Sequence, residues 1–126
     1  MALTKSGQPT AEEPRCIEEA EHPALMLDFL SSDGRIHGFP YSQLVNYLFD
    51  PNPEFSRGKD HPPERLTLSF STHDVTVIGW RLIALRLLLH SARLAALCAA
   101  DPRYANVART KPYVAEITVK PASPAP

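Results

Sequence analysis

The sequence has few of the residues that usually mark a chemical site. Its two cysteines, Cys16 and Cys98, are far apart and match no metal-ligand or redox spacing. Its five histidines show neither a His-x-x-x-His pair nor the spacing of zinc ligands. It contains no glycine-rich phosphate loop, Gly-x-Ser-x-Gly elbow or paired-carboxylate motif. We therefore expect no cofactor, no metal and no catalytic residue, and an enzyme is the weakest of the broad functional classes.

The chain also lacks an excess of charge of either sign. Thirteen Lys and Arg stand against 14 Asp and Glu, a net charge of −1, so the surface as a whole does not attract nucleic acid, although a local basic patch is compatible with this balance. Residues 1–22 hold no apolar run of a signal peptide, and the apolar residues 82–100 are interrupted by three basic side chains. Two unclustered cysteines suit a reducing compartment. We expect a cytoplasmic protein that does not enter the membrane.

The 13 prolines divide the chain into a centre and two ends. Residues 1–22 mix Gly, Pro, Ser and Thr with five glutamates, and residues 121–126 hold three prolines. Both segments are predicted to be flexible tails, the first of them acidic. Residues 50–64 form a Pro-rich loop, which is longer than most connections. Between the tails, residues 23–120 have the length of a single domain.

Alternating apolar residues predict strands in the first half of this domain. Residues 25–30 are one strand, and Asp33-Gly34 supplies the turn that reverses it into residues 36–39. Residues 41–49 fit either a helix or a strand, and their aromatic and β-branched side chains favour a strand. Residues 66–70 and 75–78 are predicted to form a hairpin with residues 71–74 at its tip.

The apolar spacing changes at Gly79-Trp80, from every second position to every third or fourth. This predicts one long helix over residues 80–100, which ends before Pro102, and a last strand over residues 113–119. The expected fold class is α+β: a small curled antiparallel sheet or partly open barrel, in the order β-β-β-β-α-β, packed on one long C-terminal helix. Gly79 and Trp80 form the structural junction, because glycine permits a positive φ or a close approach and a lone tryptophan there anchors the core.

Two segments resemble the motifs of the Sm-like family. Asp33-Gly34-Arg35-Ile36-His37-Gly38 resembles the first Sm motif, and Val75-Thr76-Val77-Ile78-Gly79-Trp80-Arg81-Leu82 resembles the second. This resemblance implies a small barrel that binds RNA. Residues 24–119 are also similar to small uncharacterised bacterial β-rich proteins that share a Pro-Tyr-Ser-x-Leu segment, a Leu-Thr-Leu-x-Phe strand and a Val-x-Val-x-Gly turn. That second likeness implies no particular activity.

The candidate contacts for an anion or RNA lie on the predicted helix. Arg86, His90 and Arg93 are spaced to share one stripe, and Arg81 lies one turn earlier and to the side. The alternative is the solvated face of an amphipathic helix. A second candidate, His73-Asp74, would pair a general base with its carboxylate, but neighbours on a strand point to opposite faces, which favours a polar turn.

These observations predict a non-catalytic interaction module. Its function is protein–protein association or self-association, through the unpaired edge of a sheet of short strands. Sm-like RNA binding is the alternative and depends on the two motifs and the basic stripe. Retention on an RNA column that falls steeply with salt would separate the two hypotheses, because nucleic-acid binding releases counterions.

Overall fold

The residues that the structure describes form eight strands and one short helix. The computed structural model describes residues 16–57, 61–105 and 110–122, and predictions for the remaining residues of both tails lie outside the described residues. In chain order the strands are β1 (Ile17–Glu19), β2 (Met26–Leu30), β3 (Ile36–Pro40), β4 (Leu44–Pro51), β5 (Glu64–Phe70), β6 (His73–Trp80), β7 (Leu94–Cys98) and β8 (Tyr113–Pro121). Helix α1 (Arg86–His90) follows a 3-10 turn, Leu82–Leu85, and further 3-10 turns are Tyr41–Gln43, Pro53–Arg57 and Pro102–Tyr104.

The strands form two four-stranded sheets. The first sheet has the order β1-β7-β2-β3, in which β7 runs parallel to β2 and the other pairs are antiparallel. The second sheet has the order β4-β5-β6-β8 and is antiparallel throughout. The hairpins predicted at Asp33-Gly34 and between residues 70 and 75 are both present, and residues 44–51 are a strand.

One hydrophobic core joins the two sheets, because alternate side chains of each sheet point into it. Leu27, Phe29 and Phe39 of the first sheet are buried with Leu66, Leu68, Phe70, Val75 and Val77 of the second. The ring of Phe39 stacks on that of Phe70 with their centroids 4.5 Å apart, and the Phe29 ring meets both at 6.1 Å. Aromatic contacts thus link the faces that each hairpin buries.

The predicted long C-terminal helix is wrong, and with it the helix-packed α+β class. Within residues 80–100 the chain forms the end of β6, a 3-10 turn, the five-residue helix α1 and then strand β7. The fold is mostly β, with two sheets instead of one curled sheet on a helix. Helical spacing does hold over Leu82, Leu85 and Leu89, which are buried, but it does not continue as a helix beyond them.

Two local features explain why the spacing misleads. The helix ends at Ala92, whose φ of 58° is left-handed. The amide of Arg93 donates to the Leu88 carbonyl and that of Ala92 to the Leu89 carbonyl, which is the Schellman arrangement. In β7 the register shifts against β1, so the buried Leu94 and Leu97 are three residues apart, as they would be in a helix. A bulged strand therefore has helical periodicity here.

The bounds of three predicted segments also change. Residues 17–19, predicted to belong to the flexible acidic tail 1–22, form β1 and pair with β7, and Cys16 beside them is buried. The Pro-rich loop predicted over residues 50–64 is shorter, because β4 continues to Pro51 and β5 begins at Glu64. The C-terminal tail predicted to begin at residue 121 contributes Pro121 to β8.

The carboxylate of Glu64 fixes where the helical segment starts. It accepts hydrogen bonds from the backbone amides of Arg81 at 3.1 Å, Leu82 at 2.6 Å and Ile83 at 3.3 Å. These amides have no partner within a helix that begins there, so the carboxylate replaces the missing acceptors. A residue of β5 therefore caps a turn that is 17 residues away in the chain.

Candidate interaction surface

The four residues predicted to contact an anion do not form one stripe. Arg81 donates from Nε to the Lys111 carbonyl at 2.7 Å, and Arg93 donates from Nε to the Ala20 carbonyl at 2.9 Å. Both guanidinium groups thus connect chain segments within the protein. Arg86 and His90 lie on α1 and are exposed, whereas Arg93 lies beyond the end of the helix. The structure keeps two of the four on one exposed helix face.

Gly79 and Trp80 lie at the end of β6, where the register against β8 shifts. A Cβ atom on Gly79 would be 2.1 Å from the carbonyl oxygen of Tyr113. The close approach of two backbones, and not a positive φ, therefore requires glycine at this position. Trp80 is half-buried and its ring lies 5.9 Å from that of Tyr113.

His73 and Asp74 are consecutive residues of β6, so their side chains leave opposite faces of the sheet. The His73 ring lies 5.4 Å from that of Phe39, and its Nδ1 is 2.8 Å from Thr72 Oγ1. Within residues 16–57, 61–105 and 110–122, no three His, Cys, Asp or Glu side chains are grouped as metal ligands would be. This strand end therefore provides a polar turn beside the core.

A cleft of about 270 Å³ lies over the outer face of the second sheet, under the loop between β4 and β5. Arg65 lines it but forms a double hydrogen bond to Asp50, with Nε to Oδ1 at 2.9 Å and Nη2 to Oδ2 at 2.5 Å. The hydrogen bond from Arg65 holds the pKa of Asp50 below its usual value. Asn52, which is buried, donates to the Pro62 carbonyl and accepts from the Glu54 amide. These partners within the protein satisfy the groups best suited to bind a ligand, so the cleft is the weaker candidate.

The outer faces of the two sheets differ in polarity. Cross-strand partners share a face, which places a mostly polar set on the outside of the second sheet. Leu48 and Ile78 are the apolar members of this set, and Val45, the unpaired residue at the β4 register shift, is a further exposed apolar residue of the second sheet. The full set is Asn46, Leu48, Asp50, Arg65, Thr67, Ser69, Asp74, Thr76, Ile78, Glu116, Thr118 and Lys120. Such a face is compatible with water.

The outer face of the first sheet carries a larger share of apolar side chains, although Asp28 and Glu18 lie on it as well. Opposite the buried Leu27, Phe29 and Phe39, strands β2 and β3 present side chains that pair across the sheet with those of β7. Ile36 is 65% exposed and Met26 is 45% exposed. We call this set the apolar face; it comprises Met26, Leu30, Ile36, Pro40, Ala96 and Cys98. Exposed apolar side chains gathered on one face mark a contact surface more often than scattered ones.

The apolar face ends at the free edge of β3, the last strand of the first sheet. The amide of Ser31 donates to the Arg35 carbonyl, and the amide of Tyr41 donates to the Leu25 carbonyl. Bonded and non-bonded pairs alternate in an antiparallel ladder. Residues 37 and 39 therefore bond to β2, and Ile36, Gly38 and Pro40 turn their backbone groups outward. We call these outward groups the β3 edge: the amides of residues 36 and 38 and the carbonyls of residues 36, 38 and 40.

Of the features with which proteins block strand addition, the β3 edge has one, Pro40 at its end, and it lacks a bulge and charged side chains within the strand. Strand β3 reads Ile-His-Gly-Phe-Pro and carries neither a lysine nor a carboxylate. By contrast, β1 has three residues, two of them glutamates, and β4 and β8 carry register shifts with charged or polar side chains. The sequence predicted association through an unpaired sheet edge but did not identify β3, although apolar residues on both faces of residues 25–30 were a signal for this surface.

Comparison of the chain with protein-family models, with curated proteins and with solved structures gives no match. Over the residues that the structure describes, no helix has both the length and the apolar character to cross a bilayer.

Proposed function

We propose that the protein is a non-catalytic interaction module of the cytoplasm that associates with an extended polypeptide segment along the β3 edge. The observation that carries this proposal is the pairing of unbonded backbone groups at Ile36 and Gly38 with the apolar face beside them. In strand addition, main-chain hydrogen bonds give affinity and side chains on one face give specificity. The β3 edge offers the main-chain hydrogen bonds, and the apolar face offers the side-chain contacts.

Main-chain hydrogen bonds and the apolar face both contribute to the energetic gain. A net hydrogen bond contributes about 0.5–1.5 kcal/mol in water, and an added strand would form only a few such bonds. Ile36 is 65% exposed, and covering such a side chain fully contributes about 1.5–3 kcal/mol. Residues of the added strand that lie beside Ile36 and Met26 are therefore expected to be apolar.

Gly38 leaves space on the outer face beside the centre of the β3 edge. The Asp28 carboxylate lies over it, so that a Cβ on residue 38 would be 2.6 Å from Asp28 Oδ1. A side chain at residue 38 would push this carboxylate outward, into the space that the added strand needs. The Asp28 carboxylate is thus held over a glycine.

The proposal is tested by photo-crosslinking in cells. A p-benzoylphenylalanine replaces Arg35, which adjoins the edge and leaves Ile36 in place; a control protein carries it at Leu48, which is 57% exposed on the outer face of the second sheet. We expect irradiation to give a discrete protein adduct from position 35 and none from position 48. No adduct from position 35, or the same adducts from both positions, would contradict the proposal.

RNA binding, as the Sm-like resemblance implies, is the alternative outcome. Arg86 and His90 are exposed on α1, but Arg81 and Arg93 donate to backbone carbonyls of the protein itself. Retention of the purified protein on an RNA column that declines steeply with salt would favour that alternative, because counterion release gives nucleic-acid binding this signature. We expect no retention at physiological salt.

A further inference from the structure

We infer that the segment added to the β3 edge is the β3 strand of a second copy of this chain, in an antiparallel pair that joins two first sheets into one. The inference depends on the proposed function, since it names the occupant of the same edge. It follows from the donors and acceptors that the edge offers. The amides of Ile36 and Gly38 are its two donors, and Pro40, which has no N–H, adds only an acceptor.

A two-fold axis at Gly38 matches these groups to each other. In that register, residue 38 of one copy lies opposite residue 38 of the other, and residue 36 lies opposite residue 40. Each Gly38 amide donates to the Gly38 carbonyl of the second copy, and each Ile36 amide donates to the Pro40 carbonyl. Both donors of both copies are then used, and the missing N–H of Pro40 leaves no donor without an acceptor.

The alternative register, centred on His37, also uses both donors but overlaps fewer residues. It places Pro40 opposite Gly34, which lies in the turn before β3 and whose amide already donates to the Ser31 carbonyl. The register centred on Gly38 instead overlaps all of β3, Ile36–Pro40. An isologous pair of this kind is closed, because each copy uses the same patch and no further edge of this type remains.

The electrostatics and the side chains of the edge are compatible with the pair. Gly38 has no side chain, so the two backbones can meet at the centre of the pair, where the Asp28 carboxylate of each copy lies on the outer face. On either side of this centre, Ile36 of each copy lies beside Pro40 of the other. The Cα atoms of the two Asp28 residues lie three strand spacings apart, about 14 Å. Each carboxylate leans over Gly38 and thus toward the other copy, so the two charges are closer than this, and their repulsion is screened only in part at the Debye length of about 8 Å.

The test is sedimentation velocity of the full chain from micromolar to millimolar concentrations. We expect a reversible species with twice the 14.0 kDa mass of the chain. Ile36→Lys places a charge on the edge and is expected to weaken the pairing at least about tenfold. Its matched control, Leu48→Lys, adds the same charge at a similarly exposed position of the second sheet and should leave the pairing unchanged.

Ile36→Pro supplies a second variant, because it removes the outward amide of residue 36 without breaking a hydrogen bond inside the chain. It should also weaken the pairing, and circular dichroism of both variants should show the wild-type fold. A dimer that neither variant weakens would overturn the inference. A monomer at every concentration that still gives an adduct with a different protein from position 35 would overturn self-pairing and leave the proposed function intact. A monomer with no adduct would overturn both.

Discussion

Replacing Ala92 by Gly should stabilise the protein. Ala92 has φ 58° at the end of α1, and an L-residue in this left-handed region costs roughly 1–2 kcal/mol. Glycine avoids this cost but loses about 0.5–1 kcal/mol through its greater freedom in the unfolded chain. The half-buried methyl group of Ala92 is also lost. The expected net effect is a gain of about 0.5 kcal/mol in the free energy of unfolding.

The sign of this change separates the structure from the long helix that the sequence suggests. In the middle of a continuous helix over residues 80–100, the same replacement would destabilise by about 1 kcal/mol. Urea denaturation followed by circular dichroism measures the difference, and the midpoint should rise by a few tenths of molar. Ala84→Gly is the control: Ala84 lies in the 3-10 turn without a positive φ, so its replacement should lower the midpoint. A lower midpoint for Ala92→Gly would refute the reasoning.

Three further changes follow from the structure. Gly79→Ala should cost about 3 kcal/mol or more in thermal or urea unfolding, because the added Cβ would be 2.1 Å from a backbone carbonyl; a loss below about 1 kcal/mol would show that the strands separate easily. Arg93→Gln should lower the free energy of unfolding by about 1 kcal/mol, because the hydrogen bond of Arg93 Nε at 2.9 Å is lost. Arg86 is exposed, so Arg86→Gln should change the free energy of unfolding by less than about 0.5 kcal/mol. Equal effects of the two substitutions would contradict the assigned roles. Burial raises the pKa of Tyr41 to about 12, while its hydroxyl donates to the Leu94 carbonyl at 2.6 Å. The folded state therefore favours the neutral form of Tyr41. Its contribution to the free energy of unfolding is fully present below the unfolded pKa of about 10 and is lost as pH rises toward 12. Tyr41→Phe should reduce this loss of stability at alkaline pH, and an unchanged dependence of stability on pH would contradict the assignment.

The sequence is sufficient to predict most strands of the fold, because their alternation and turn residues are local. Asp33-Gly34 sets the β2–β3 hairpin, and residues 66–70 and 75–78 alternate cleanly on both sides of a short turn. It is insufficient for residues 80–100. There, Ala92 occupies the left-handed position after the helix at which glycine is usual, so the sequence does not indicate that the helix ends. The apolar residues of the bulged strand β7 also have helical spacing.

The candidate surface was less predictable than the strands that form it. The apolar residues Met26 and Leu30 on the outer face are visible in the alternation of residues 25–30. β3 is an edge because β4, the next strand, joins the second sheet and does not pair with β3. The other side of β2 is covered by β7, in a parallel pairing of distant residues such as Asp28 and Ala96 that no local pattern predicts. Likewise, the spacing of Arg86 and Arg93 suggested one basic stripe, but the chain turns at Ala92 between them.

The most direct test of the account is amide hydrogen exchange of the wild-type protein, resolved by residue and repeated over a range of protein concentrations. The amides of Ile36 and Gly38 bond to nothing in β2, so they should exchange rapidly in dilute solution and slow markedly as the concentration rises. The amides of residues 37 and 39, which bond to β2, should be protected at every concentration. Exchange at residues 36 and 38 that stays equally fast at all concentrations, or is already slow in dilute solution, would contradict pairing of two copies along the β3 edge.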